Sequence, residues 1–128
     1  MIDGMRILVG VDGSAAADNA FKEAVAIAEK FSGSIQAITV YAQGMEQKAE
    51  EILEGAQQFC LPKSVECLTL SILGSNPARA IQETAKNGNF DLIVVGSRGL
   101  GSTAAILLGS VSRQVIANAE CNVLVVKK

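Results

Sequence analysis

Apolar and polar positions along this chain switch between two periods, and the switches mark its elements. Arg6 to Val11 is a short, almost continuous apolar run, the pattern of a strand buried on both faces. Asp12-Gly13-Ser14 then turns into a segment whose Phe21, Ala24, Val25, Ala28 and Phe31 recur at helical spacing. Ser14 stands at its N-cap and Gly33 at its stop. Ser34 to Tyr41 is β-branched and apolar, a second strand. After Gly44, Met45, Ala49, Ile52, Leu53, Ala56 and Phe59 form an inward stripe, with Glu46, Glu50, Glu51 and Glu54 on the wet side. Pro62 breaks that helix. Val65 to Ile72 alternates in part, as an edge strand with one exposed face does. Asn76-Pro77 is an N-cap followed by proline at the first helical position, and Ala80, Ile81, Thr84 and Ala85 follow before Gly88. Phe90 to Val95 reads as a fourth, buried strand. A last helix from about Gly109 turns Val111, Val115, Ile116 and Ala119 inward, and Asn122 to Val126 is the fifth strand.

Strand and helix thus alternate along residues 1–128 with no repeat and no linker, which specifies one α/β domain. Its core is an open, all-parallel, five-stranded sheet with helices on both faces. Right-handed crossovers and the doubly wound pattern predict the strand order 3-2-1-4-5. In that order the chain reverses direction between strands 1 and 4, and a crevice opens at their carboxyl ends. Asp12 ends the first strand and Gly96 the fourth. The two most unusual loops therefore meet where this architecture binds ligands.

The loop after strand 4, Gly96-Ser97-Arg98-Gly99-Leu100-Gly101-Ser102, leaves a backbone that can turn sharply and approach a ligand without a Cβ in the way. Gly109-Ser110-Val111-Ser112 heads the next helix, where free amides facing outward favour an anion. Arg113, not Glu or Gln, lies three residues after Ser110, so no capping box closes that helix start. Glycine loop and helix start together can hold phosphates through backbone N–H groups alone. Each residue also has a plainer reading. The glycines suit a simple strand-to-helix turn, and Arg98 is either a phosphate clamp or an exposed loop arginine. Ser112 is either a second phosphate contact or a helix-surface serine. Asp12 is a turn or cap residue, or a carboxylate placed for a ribose hydroxyl or a metal-bound water.

The spacing Gly96-x2-Gly99-x9-Gly109-Ser110 resembles the nucleotide-binding signature of the universal stress protein family, in its ATP-binding branch. Ile7-Leu8-Val9-Gly10-Val11-Asp12-Gly13-Ser14 resembles the family's opening strand and turn, and Cys121-Asn122-Val123-Leu124-Val125-Val126 its closing strand. The resemblance covers the whole chain and implies a Rossmann-like fold of the adenine nucleotide α-hydrolase type. It implies ATP, AMP or ADP as ligand, with magnesium or manganese carried by the phosphates. It gives Asp12 a nucleotide role, Gly10 and Val11 backbone contacts, and Val40 a main-chain contact with adenine. It also implies a homodimer paired through strand 5 and a nucleotide-dependent regulator or sensor in the stress response. The alternatives are a slow ATP hydrolase or phosphotransferase, and an interaction module without nucleotide. With no histidine, no P-loop lysine and no second carboxylate beside Asp12, at most a weak ATPase is expected.

Composition narrows the rest. Nearly half the residues are apolar (49%) but only 4% are aromatic, so the core must be aliphatic. A net charge of −2 with no basic stripe argues against a nucleic-acid partner. The longest apolar runs fall far short of the roughly 20 residues of a membrane span, and no charged-then-apolar leader opens the chain. Three cysteines without a Cys-x-x-Cys pair, and no histidine, leave a zinc site almost without ligands. A cytoplasmic location fits these features. There is no Gly-x4-Gly-Lys-[Ser/Thr] motif, and the Gly96, Gly99, Gly101 spacing reverses that of dinucleotide folds.

Overall fold

The computed structural model describes residues 4–97 and 109–127. Within them the order is β1 (Arg6–Gly10), α1 (Ala15–Phe31), β2 (Ser34–Tyr41), α2 (Glu46–Cys60), a 3-10 turn (Leu61–Lys63), β3 (Glu66–Leu73), α3 (Pro77–Gly88), β4 (Leu92–Gly96), α4 (Ser110–Asn118) and β5 (Asn122–Val126). The strands form one all-parallel sheet in the expected order, β3-β2-β1-β4-β5. Alternation across the pleat divides the aliphatic core in two. Ile7, Val9, Ile35, Ala37 and Val94 face α1 and α2, while Leu8, Ile38, Ile93 and Val95 face α3 and α4.

Local signals set the helix ends. Ser14 caps α1, its Oγ accepting the Ala17 amide at 3.2 Å, and Asn76 caps α3, its Oδ1 accepting the Arg79 amide at 3.1 Å. The stop of α1 departs from the sequence reading. Ser32, not Gly33, takes the left-handed conformation (φ 55°) that closes the helix. Gly33 serves close packing instead: a Cβ there would lie 2.4 Å from the Met5 carbonyl oxygen. Phe31 and Ile116 were expected inside but are 57% and 43% exposed. Phe31 is the last residue of α1, beyond Ala28, the last buried position of that helix. Helix α4 packs beside α3 and against β5. Met45, also expected on the inward stripe, precedes α2 and is exposed.

The three cysteines are free thiols. Cys60 is buried where α2 packs on β3, and Cys67 joins the same cluster from β3. Burial first, and then the neighbouring Cys60, push the Cys67 thiol from its ordinary 9.0 up to about 12. Folding therefore favours the protonated thiol. That preference is fully present below pH 9 and is lost as pH rises towards about 12. In urea titrations, the stability advantage of the parent over Cys67→Ala is expected to shrink across that alkaline window. An advantage that grows with pH there would show the opposite shift.

Candidate functional site

The sheet order brings the carboxyl ends of β1, β2 and β4 together at the chain reversal, and a cavity of about 110 Å³ opens there. Ile38, Val40, Ile81, Val95 and Val111 give it an apolar lining; Gly10, Val11, Asp12, Ser14, Gly96 and Ser112 stand around it. The parallel crossovers also bring three helix starts to this end: Ala16 and Ala17 of α1, Pro77 of α3 and Val111 of α4 all line the cavity. Two of those starts are occupied by their own Ser14 and Asn76 side chains. The start of α4 differs. Its N-cap is Gly109 (φ −68°, ψ 166°), which makes no side-chain capping bond. Among the described residues nothing accepts from the first-turn amides of α4, which stand at the edge of an apolar cavity, an arrangement that suits an anion.

At the cavity's other wall the sheet offers a second set of backbone groups. The Ile38 carbonyl accepts the Val11 amide at 2.9 Å, so Ile38 points its polar groups towards β1. The Tyr41 carbonyl accepts the Gly74 amide at 3.0 Å, so Tyr41 points its own towards β3. Alternation then aims the Val40 N–H and C=O the same way as those of Ile38. The pairing of β1 with β2, however, ends at Gly10 and Ile38. Val40 therefore presents one donor and one acceptor beyond the end of β1, at the cavity wall.

Asp12 is exposed on the rim, and its Oδ1 accepts the Ser14 amide at 2.9 Å. That Asx turn fixes the carboxylate over the cavity mouth. Gly96 has a packing role that the sequence reading missed. A Cβ on it would lie 2.6 Å from the Ala16 carbonyl oxygen, so only glycine lets β4 lie this close to the first turn of α1. The Ser97 amide donates to the Val126 carbonyl at 3.0 Å and extends the ladder to β5. Ser112 is not a surface serine: it is 2% exposed and its hydroxyl donates to the Gly96 carbonyl at 2.5 Å. Ser110 is exposed at the head of α4, with Val111 half-buried beside it. Arg98, Gly99, Leu100, Gly101 and Ser102 lie outside the described residues. Ser14, Pro77 and Ile81 were missed as lining residues. The Asn76-Pro77 start could have pointed to the last two, because a parallel sheet sends every helix start to this end.

The profile of the universal stress protein family matches residues 5–127. The chain belongs to that family. Universal stress protein MJ0531 of Methanocaldococcus jannaschii is 35% identical over an alignment covering 96% of this chain and 82% of that protein. A universal stress protein solved in complex with cAMP superposes with a TM-score of 0.82 at 28% identity, covering 98% of each chain. A family protein of Arabidopsis thaliana solved with AMP bound superposes with a TM-score of 0.77 at 26% identity, covering 97% of this chain and 92% of that one. In this universal stress protein, the cavity at the switch point is the only one among those described that adjoins the uncapped start of α4.

Proposed function

We propose that this universal stress protein binds an adenine nucleotide at the switch-point cavity and acts as a nucleotide-dependent regulator in the stress response. The observation that carries the reading is the opposition of two sets of backbone groups across an apolar lining. Val40 offers a donor and an acceptor at one wall, and the uncapped start of α4 offers amides at the other. A base, a sugar and a phosphate follow one another in that order. Relatives solved with AMP and with cAMP support the class of ligand.

In this reading Val40 meets the adenine edge, and Gly10 and Val11 lie against the nucleoside. Asp12 faces a ribose hydroxyl or a water on a cation. Ser110, Val111 and Ser112 supply amides to the phosphates, with Gly96 shaping the wall and Ser97 to Ser102 completing the cradle. Asp12 is the one carboxylate among the cavity's lining residues, and no group of three metal-ligating side chains occurs among the described residues. That donor set suits magnesium or manganese held chiefly by the phosphates, with Asp12 reached through water. We favour regulation over turnover, because among the described lining residues the one carboxylate is Asp12, which this reading assigns to the ribose or a cation rather than to a general base.

Assembly belongs to the same proposal. β5 is a sheet edge, and Val123, Leu124, Val125 and Val126 are each only half-buried. An apolar edge of that kind invites pairing with a second copy about a two-fold axis. Native mass spectrometry of freshly purified protein tests both parts at once. A dimer carrying an adenine nucleotide is expected, and Val125→Lys is expected to give a monomer. A chain that is monomeric and takes up no added AMP or ATP would remove the reading.

A further inference from the structure

The Ser112 hydroxyl has one proton to donate, and the fold has already committed it to the Gly96 carbonyl. With its proton so engaged, the hydroxyl offers a phosphate oxygen only lone pairs, which repel. Its backbone nevertheless stands in the first turn of α4, behind the Gly109 cap. Gly96 is itself pressed against the Ala16 backbone, at a separation that leaves no room for a Cβ. The end of β4 is therefore gripped from α1 on one side and from α4 on the other. Two further ties of α4 lie later in the helix: Gln82 Nε2 donates to the Gln114 carbonyl at 3.0 Å, and Val115 is fully buried. Among the described residues, the Ser112 bond is the hydrogen bond that joins the first turn itself to β4, where Val111 also packs against the core.

We propose that Ser112 is a positioning residue for phosphate: by holding the first turn of α4 to the end of β4, it sets where the α4 amides meet the anion. The proposal rests on the nucleotide reading above and adds a division of labour to it. The hydroxyl acts on the protein, and only the amides act on the ligand.

Calorimetric titration of the full chain with adenosine, AMP and ATP tests this in the parent and in Ser112→Ala, Ser112→Cys and Ser112→Thr. Adenosine, which has no phosphate, is expected to bind all four alike. AMP and ATP are expected to weaken about tenfold in Ser112→Ala, to hold in Ser112→Thr, and to fall between in Ser112→Cys, whose thiol is a weak donor of similar size. Hydrogen exchange of the ligand-free proteins supplies the second readout. The Arg113 amide, which donates to the Gly109 carbonyl at 3.0 Å, is expected to exchange about fivefold faster in Ser112→Ala. Weaker AMP binding with unchanged exchange would mean that the hydroxyl touches phosphate directly, and would overturn the proposal. Equal weakening of adenosine and AMP would overturn it too, because the role would then be general stability. If Ser112→Ala does not fold, the Cys and Thr variants carry both readouts. A parent that binds none of the three ligands would remove the nucleotide reading, while the exchange comparison would still report whether Ser112 holds α4.

Discussion

ATP at one hundred times its Kd is expected to stabilise the folded chain by about 2.7 kcal/mol, a rise of several degrees in Tm, while GTP at the same concentration leaves Tm almost unmoved. The reason lies in the direction of the Val40 backbone. Its N–H suits the N1 acceptor of adenine and its C=O suits the N6 amino group. Guanine carries the opposite groups on that edge, a protonated N1 and a carbonyl O6. Placed against Val40 it would set donor against donor and acceptor against acceptor. A site built on fixed hydrogen-bonding groups rejects such a mismatch strongly, because its own groups are left unpaired. ITP sharpens the test, since inosine has guanine's N1 and O6 but lacks the 2-amino group. Differential scanning fluorimetry with the three nucleotides is sufficient. A shift with ITP equal to that with ATP would show that size, not the Val40 edge, decides the ligand.

Gly96→Ala is expected to lower the stability of the ligand-free chain by about 1–3 kcal/mol, the usual range for forcing an extra carbon into a packed site. For a domain of this size that is roughly a 3–10 °C fall in Tm. The added Cβ would lie 2.6 Å from the Ala16 carbonyl oxygen, and that neighbour is backbone, so α1 or β4 must move. The same residue accepts the Ser112 hydroxyl, so displacement of β4 is also expected to weaken AMP binding. Had Gly96 been needed only for ligand approach, alanine would weaken binding and leave the free protein untouched. Scanning calorimetry without ligand separates the two. An unchanged ligand-free Tm would refute the packing role assigned here.

Most of the fold was legible before any coordinates, because its signals are local. The apolar runs of β1 and β4, the Ser14 and Asn76 caps and Pro77 at the head of α3 each act within a few residues. Handedness, which local chirality imposes on every crossover, restricted the strand orders, and 3-2-1-4-5 is the common doubly wound one among them. Even the cavity's place was legible, since Asp12 follows β1 and Gly96 ends β4, the two strands between which the chain reverses. The resemblance of the glycine-rich motifs to a known family pointed to the right family for the same reason: their spacing is a property of the chain.

Other features required the tertiary structure, because they depend on distances between segments far apart in sequence. Gly33 looked like a helix stop, but its smallness serves the Met5 backbone 28 positions earlier, and Ser32 bears the left-handed turn instead. Phe31 and Ile116 have the spacing of core residues, yet both are exposed, because helical spacing alone does not say which positions a neighbouring element covers. Gly96 read as a turn or phosphate-loop glycine and Ser112 as a phosphate contact or a surface serine, since nothing nearby in sequence shows the Ala16 carbonyl or the bond between them. Val40 entered only through the family resemblance, since its side chain alone justified no such role. Only the early end of β1 beside a longer β2 shows that the Val40 backbone faces past the end of β1 at the cavity wall. The sequence by itself determined which elements form and in what order they pack, because propensity, capping and chirality are local. The tertiary structure alone decided which backbone groups are left over at their meeting point, because that depends on where each strand stops relative to its neighbours.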